Sequence, residues 1–182
     1  YNYWSLTSLT NFFNQLDAKI YKAEKIDTHG GSIRIYIKKG KKIKLDKSVI
    51  KLLKEEEIYG IKKYNTYKNF AKKVYKIREN VRKNILELKK NKKKIIGYGS
   101  PAKATTAMNF FGISNEIEYI IEDNKLKQGK FLPGMKIPII AKSDIKAKPD
   151  CALVLAWNFF KEIKKNNSDL AHKVISIKDL EI

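Results

Sequence analysis

Cysteine is nearly absent from the 182-residue chain, and a lone Cys151 rules out an internal disulfide. It stands in the apolar run 151–156, where a buried, inert thiol is expected rather than a reactive one. No run approaches the ~20 apolar residues needed to cross a bilayer, and the N-terminus has neither the charged start nor the apolar centre of a signal peptide. A cytoplasmic location without a membrane partner is therefore expected. Arginine is scarce as well. Arg34, Arg78 and Arg82 are the only ones, so the formal charge of +20 is almost all lysine. A nucleic-acid reader would use arginine where bidentate phosphate contacts matter. The many Ile, Asn and Tyr residues beside the lysines match an AT-rich coding bias instead, and no nucleic-acid partner is expected. Methionine occurs only at Met108 and Met135, and the chain opens Tyr1-Asn2-Tyr3-Trp4, which predicts a piece of a longer protein.

What is present is ordered in three stretches. In residues 5–16, Leu6, Leu9, Phe12, Phe13 and Leu16 fall on one face after Ser and Thr candidates for a cap, which predicts a short amphipathic helix. Strands are expected at 19–26 and 32–38, joined by the turn Asp27-Thr28-His29-Gly30-Gly31. The second alternates Ile33, Ile35 and Ile37 with polar residues, the period of a half-buried strand. Val49, Leu52 and Leu53 mark a short helix that Gly60 interrupts. After Asn65 and Thr66, the stripe Phe70, Val74, Ile77, Val81, Ile85 and Leu88 predicts a long helix packed on a core or an interface.

From Lys94 onward, strands and helices alternate. Strands are expected at 94–98, 118–121, 136–140, 151–155 and 173–177, with helices at 102–111, in abbreviated form at 143–145, and at 158–166. This spacing predicts an α/β fold with a Rossmann-like, three-layer parallel sheet, preceded by a helix, an antiparallel strand pair and a long linking helix.

Residues 94–103 read as a strand, a tight glycine turn and a helix start in the pattern G-x-G-x-x-A. Gly97 and Gly99 let the backbone turn sharply, and Pro101 suits a first helical turn. The helix N-terminus then offers N–H groups to a phosphate, with a hydroxyl from Ser100 and a charge from Lys103. Asp123 follows the second strand, where a dinucleotide site places its ribose-binding carboxylate. In the basic loop beyond it, Lys127 and Gln128 are either phosphate and ribose contacts or part of a solvated surface. Trp157 and Asn158 follow the strand 151–155, and the indole either stacks on a base or closes the core.

Several separated segments resemble the C-terminal part of the sugar-nucleotide C-methyltransferases that make branched deoxysugars. They are Tyr3-Trp4-Ser5-Leu6-Thr7-Ser8-Leu9, Thr28-His29-Gly30-Gly31-Ser32-Ile33-Arg34-Ile35-Tyr36, the turn 97–103, Glu122-Asp123-Asn124 with Lys127-Gln128-Gly129, Pro133-Gly134 with Ile137-Pro138-Ile139, and Ala156-Trp157-Asn158. The resemblance implies that residues 1–40 are the tail of a class I methyltransferase domain, 41–93 a helical linker, and 94–182 a Rossmann-like domain that binds the nucleotide sugar. It implies S-adenosylmethionine and a structural zinc in the full-length protein, both held upstream of this chain, and a nucleotide-diphosphate sugar as the one ligand here. Methyl transfer by the fragment alone is not expected, and no residue in it is catalytic. His29 is assigned to sugar or phosphate positioning, with a role in the turn as the alternative, and His172 is read as an ordinary surface residue. The rival class is an NAD(P)-dependent oxidoreductase or a free-standing dinucleotide-binding domain. Gly97, Gly99 and Asp123 suit that class, but no catalytic Tyr-Lys or Cys-His arrangement accompanies them.

Overall fold

The structure, a computed structural model, describes residues 3–40 and 42–182, with the side chain of His29 outside the described ones. The chain forms two compact units, Tyr1–Ala71 and Lys72–Ile182, and the division falls within one long helix.

The first unit begins with helix α1 (Leu6–Gln15). Ser5 caps it, its hydroxyl accepting from the Ser8 N–H while the Ser8 hydroxyl accepts from the Ser5 N–H. Strands β1 (Ala18–Ile26) and β2 (Ser32–Lys39) pair antiparallel through a 3-10 turn at Thr28–Gly30. A two-stranded sheet is marginal alone, and here α1 and α2 (Lys47–Tyr59) stabilise it by burying Leu6, Ile20, Ala23, Val49 and Leu52 together. Glu56 of α2 reaches back to α1, its carboxylate accepting from the N–H groups of Leu6 at 2.7 Å and Thr7 at 2.8 Å. Helix α2 ends at Gly60, whose left-handed backbone closes the last turn. On β2, Ile33 and Ile35 pack on this core, but Ile37 is half-exposed.

Helix α3 (Tyr64–Lys90) already includes Asn65 and Thr66, after which the stripe begins. Its stripe is divided: Val81 and Ile85 are fully buried in the second unit's core, whereas Phe70, expected on the same buried face, is 60% exposed and belongs to no core cluster among the described residues.

The second unit is built on five parallel strands, β3 (Ile95–Tyr98), β4 (Ile120–Ile121), β5 (Ile139–Ile140), β6 (Cys151–Val154) and β7 (Lys173–Ser176), in the spatial order β5-β4-β3-β6-β7. Helix α4 (Ala102–Phe111) connects β3 to β4 and α5 (Phe160–Asn166) connects β6 to β7. Both faces are covered, so the strands are apolar on both sides. Ile95, Leu153 and Ile175 join Val81, Ile85 and Met108 on one face, while Ile96, Ala152 and Val174 join Leu170 and Ala171 on the other. Strands β4 and β5 are shorter than expected. The loop before β5 folds back on it, the Gly129 N–H donating to the Ile139 carbonyl and the Ile139 N–H to that of Lys130. Among the described residues no helix is long and apolar enough to cross a membrane.

Candidate functional site

The strand order places the first strand of the unit, β3, in the centre, with β4 and β5 to one side and β6 and β7 to the other. The chain therefore reverses its direction of travel between β3 and β6, and the crevice at the carboxyl ends of such a pair is where open α/β sheets bind ligands. A cavity of about 580 Å³ lies there. Its walls are Tyr98, Gly99, Ser100 and Pro101 after β3, Glu122 and Asp123 after β4, Lys127 from the next loop, Ala156 after β6, and Phe159, Glu162, Ile163, Asn166 and Asn167 along α5.

The glycine turn has the expected path, with different reasons for its glycines. A Cβ on Gly97 would lie 2.8 Å from Cγ1 of Ile120 and 3.0 Å from Cδ1 of Leu155, so this glycine makes room for core packing. Gly99 has φ +84°, and its Cβ would lie 3.0 Å from that of Ala156. The N–H groups of Gly97 and Gly99 donate to the carbonyls of Tyr119 and Ile121. Both the N–H and the hydroxyl of Ser100, which is buried, donate to Oε2 of Glu122, at 2.9 and 2.6 Å. A carboxylate of the protein thus stands on donors expected for a phosphate. Lys127 Nζ is drawn into the same knot, donating to the Ser100 carbonyl at 2.9 Å and lying 3.4 Å from Glu122. Burial pushes the Glu122 carboxyl up, but the Ser100 hydroxyl, the N–H groups of Asn124 and Ser100, and the Lys127 charge outweigh it and hold the group below the ordinary carboxylate value.

Asp123 is exposed at the cavity rim, where its Oδ2 accepts from the Tyr98 hydroxyl at 2.9 Å. That hydroxyl in turn accepts from the buried Asn167 amide at 3.3 Å. Burial and the neighbouring Asp123 carboxylate push the Tyr98 phenol up to about 12, so it remains a donor at neutral pH.

Gln128, Lys103, Trp157 and Asn158, also expected in the site, lie outside the cavity lining. Gln128 donates from Nε2 to the Glu122 carbonyl at 2.7 Å, holding the strand end in place. Trp157 packs against the core cluster on the α4 face, and Lys103 stands over its ring, 5.9 Å from the centroid. Asn158 is exposed next to it. Neither Lys103, Trp157, Asn158 nor Gln128 is among the residues lining the cavity. The backbone of His29 sits in the 3-10 turn of the first unit, and its expected positioning role falls on a side chain outside the described ones. His172 is exposed, and Cys151 is buried in β6 with its thiol pushed up to about 11 by burial. Among the described residues no group of three His, Cys, Asp or Glu side chains could hold a metal ion.

The cavity is also lined by Tyr98, Glu122, Phe159, Glu162, Asn166 and Asn167, which the sequence does not single out as site residues. Two signals were available: Glu122 directly follows β4, and Phe159, Ile163 and Asn166 recur at spacings of four and three from the 3-10 turn Trp157–Phe159 into α5.

The model of the C-methyltransferase C-terminal domain family matches residues 27–176. C-methyltransferase NovU of Streptomyces niveus is 31% identical over 172 residues, which make up 93% of this chain and 41% of that protein. The chain thus spans about two fifths of the length of that curated relative. A match that runs from the turn before β2 through the glycine turn to the end of β7 settles the assignment: this chain belongs to the family of C-methyltransferase C-terminal domains.

Proposed function

We propose that this chain is the substrate-binding part of an S-adenosylmethionine-dependent C-methyltransferase acting on a nucleotide-linked, keto-deoxy sugar. The observation that carries the reading is the cavity at the carboxyl ends of β3, β4 and β6, where a glycine turn, an acidic strand end and the first turns of α5 converge. Family membership supplies the reaction class. Methylating a sugar carbon requires a nucleophilic carbon, which a neighbouring ketone provides once a base removes the α-proton and the enolate is stabilised. S-adenosylmethionine, when bound, would supply the methyl group for that carbon. Holding the remote nucleotide fixes the sugar for this in-line transfer, which is the part assigned to this chain. The donor, its base and the structural zinc belong to sequence outside it, and the chain alone does not transfer methyl groups.

The strand order also suits a dinucleotide-binding domain. Against that reading, residues 27–176 match the C-methyltransferase C-terminal domain family. Calorimetric titration with thymidine diphosphate glucose and with NADH separates the two. Saturable binding of the sugar nucleotide alone is expected, and NADH binding without a response to the sugar nucleotide overturns the proposal.

A further inference from the structure

The cavity is acidic in a chain whose formal charge is +20. Among the described residues, three carboxylates, Glu122, Asp123 and Glu162, line it against a single lysine, Lys127, whose ammonium is already engaged by the Ser100 carbonyl and Glu122. The turn's own donors are consumed in the same way, with the N–H and hydroxyl of Ser100 both directed at Glu122. What remains to meet a ligand is the carboxylates of Asp123 and Glu162, which only accept, and Asn166, whose amide both accepts and donates, beside an apolar wall of Pro101, Ile163 and the exposed ring of Phe159. The ionised diphosphate of a nucleotide sugar has acceptors only and would face like charges here. Hydroxyl groups are donors and suit such a set. A sugar ring has apolar faces that suit the Phe159 wall.

We propose that Glu122 acts as a built-in anion that closes the glycine turn to phosphate, so that the cavity selects an uncharged, hydroxyl-bearing ring of the ligand while the ligand's phosphates stay outside it. This rests on the reading of the chain as a sugar-nucleotide grip and states which part of that ligand enters. The ring is that of the nucleoside or of the hexose, which share this chemistry.

The test follows backbone amide signals of the 182-residue chain by NMR. Thymidine, methyl glucoside, inorganic pyrophosphate and thymidine diphosphate glucose are added separately, to the unaltered chain and to Glu122→Gln. Thymidine or methyl glucoside is expected to shift Asp123 and Asn166 saturably, and whichever does so names the ring. Pyrophosphate is expected to leave Ser100 unmoved in the unaltered chain. In Glu122→Gln, which keeps the shape and removes the charge, pyrophosphate affinity rises about tenfold or more, the scale set by one unit charge at contact distance. If thymidine diphosphate glucose binds while pyrophosphate moves Ser100 equally in both proteins, this inference falls and the grip reading stands. It falls in the same way if that ligand binds but neither uncharged compound moves Asp123 or Asn166. If thymidine diphosphate glucose moves nothing, the grip reading fails and this inference with it. Should the variant not fold, the response of the unaltered chain to pyrophosphate still decides.

Discussion

Glu122 and Ser100, 22 residues apart, are joined by two hydrogen bonds to one carboxylate oxygen, from the Ser100 N–H at 2.9 Å and its hydroxyl at 2.6 Å. The pair ties the glycine turn after β3 to the end of β4 and sets the character of the cavity between them. Ser100→Ala deletes one of these charge-assisted bonds at a buried position, and a loss of about 1.5–3 kcal/mol in urea-unfolding free energy is expected. A change within error would show that the contact contributes nothing to the fold.

The same pair predicts an acid dependence. Because the fold holds the Glu122 carboxyl below its ordinary value, its contribution is fully present above the unfolded carboxylate pKa of about 4.3 and is lost as pH falls through the folded value. Glu24, Asp46, Glu55 and Asp150 are lowered too, so the whole acid limb slopes. The specific outcome is that Glu122→Gln flattens part of this slope in urea midpoints measured from pH 7 down to pH 3.

Tyr98 predicts the opposite limb. Its phenol is pushed up to about 12 by burial and Asp123, so its contribution is intact below the unfolded tyrosine pKa of about 10 and disappears as pH climbs through the folded value. Spectrophotometric titration of the ten tyrosines should show a late component that Tyr98→Phe removes. At neutral pH that substitution is expected to cost about 1–2 kcal/mol, since Asn167 keeps its second bond, to the Ile163 carbonyl.

Gly97 separates packing from ligand approach. With Ile120 and Leu155 at 2.8 and 3.0 Å from the added methyl, Gly97→Ala should overpack the core and lower stability by about 1–3 kcal/mol in the absence of any ligand. Unchanged unfolding with impaired ligand binding would return this glycine to the role that the G-x-G-x-x-A pattern suggests.

Charge placement predicts a contrast between two residues of the motif set. Asp123 lines the cavity and Lys103 does not. Asp123→Ala is expected to weaken thymidine diphosphate glucose binding about tenfold or more, the scale of a hydrogen bond to a charged group, and Lys103→Ala by less. Calorimetry on the two variants checks the order, and the reverse order would relocate the ligand to the α4 face.

Much of this was legible in the sequence. Periodicity located α1, the β1–β2 pair, α4 and the sheet strands because each buries residues at its own fixed spacing, and the strand–helix alternation specified the parallel α/β layer structure. The long stripe on α3 outruns the core that buries Val81 and Ile85. A repeat of three and four marks a helix face but does not say where the core beneath it ends, and Phe70 lies beyond that end. In the site, the turn's backbone path could be read from its glycines and Pro101. The partner of its donors could not, because Glu122 arrives through pairing of β4 with β3, a long-range event with no local signature. Trp157 and Phe159 show the same limit. Both sit in one 3-10 turn after β6, and its geometry sends the indole to the α4 face and the phenyl ring to the cavity.

The central claim, that this chain grips a nucleotide sugar at the carboxyl ends of β3, β4 and β6, is tested most directly by following the amide signals of the unaltered chain as thymidine diphosphate glucose is added. Saturable shifts at Tyr98, Asp123 and Asn166 are the predicted result. Shifts that avoid these residues, or a chain that responds to NADH and not to the sugar nucleotide, would contradict it.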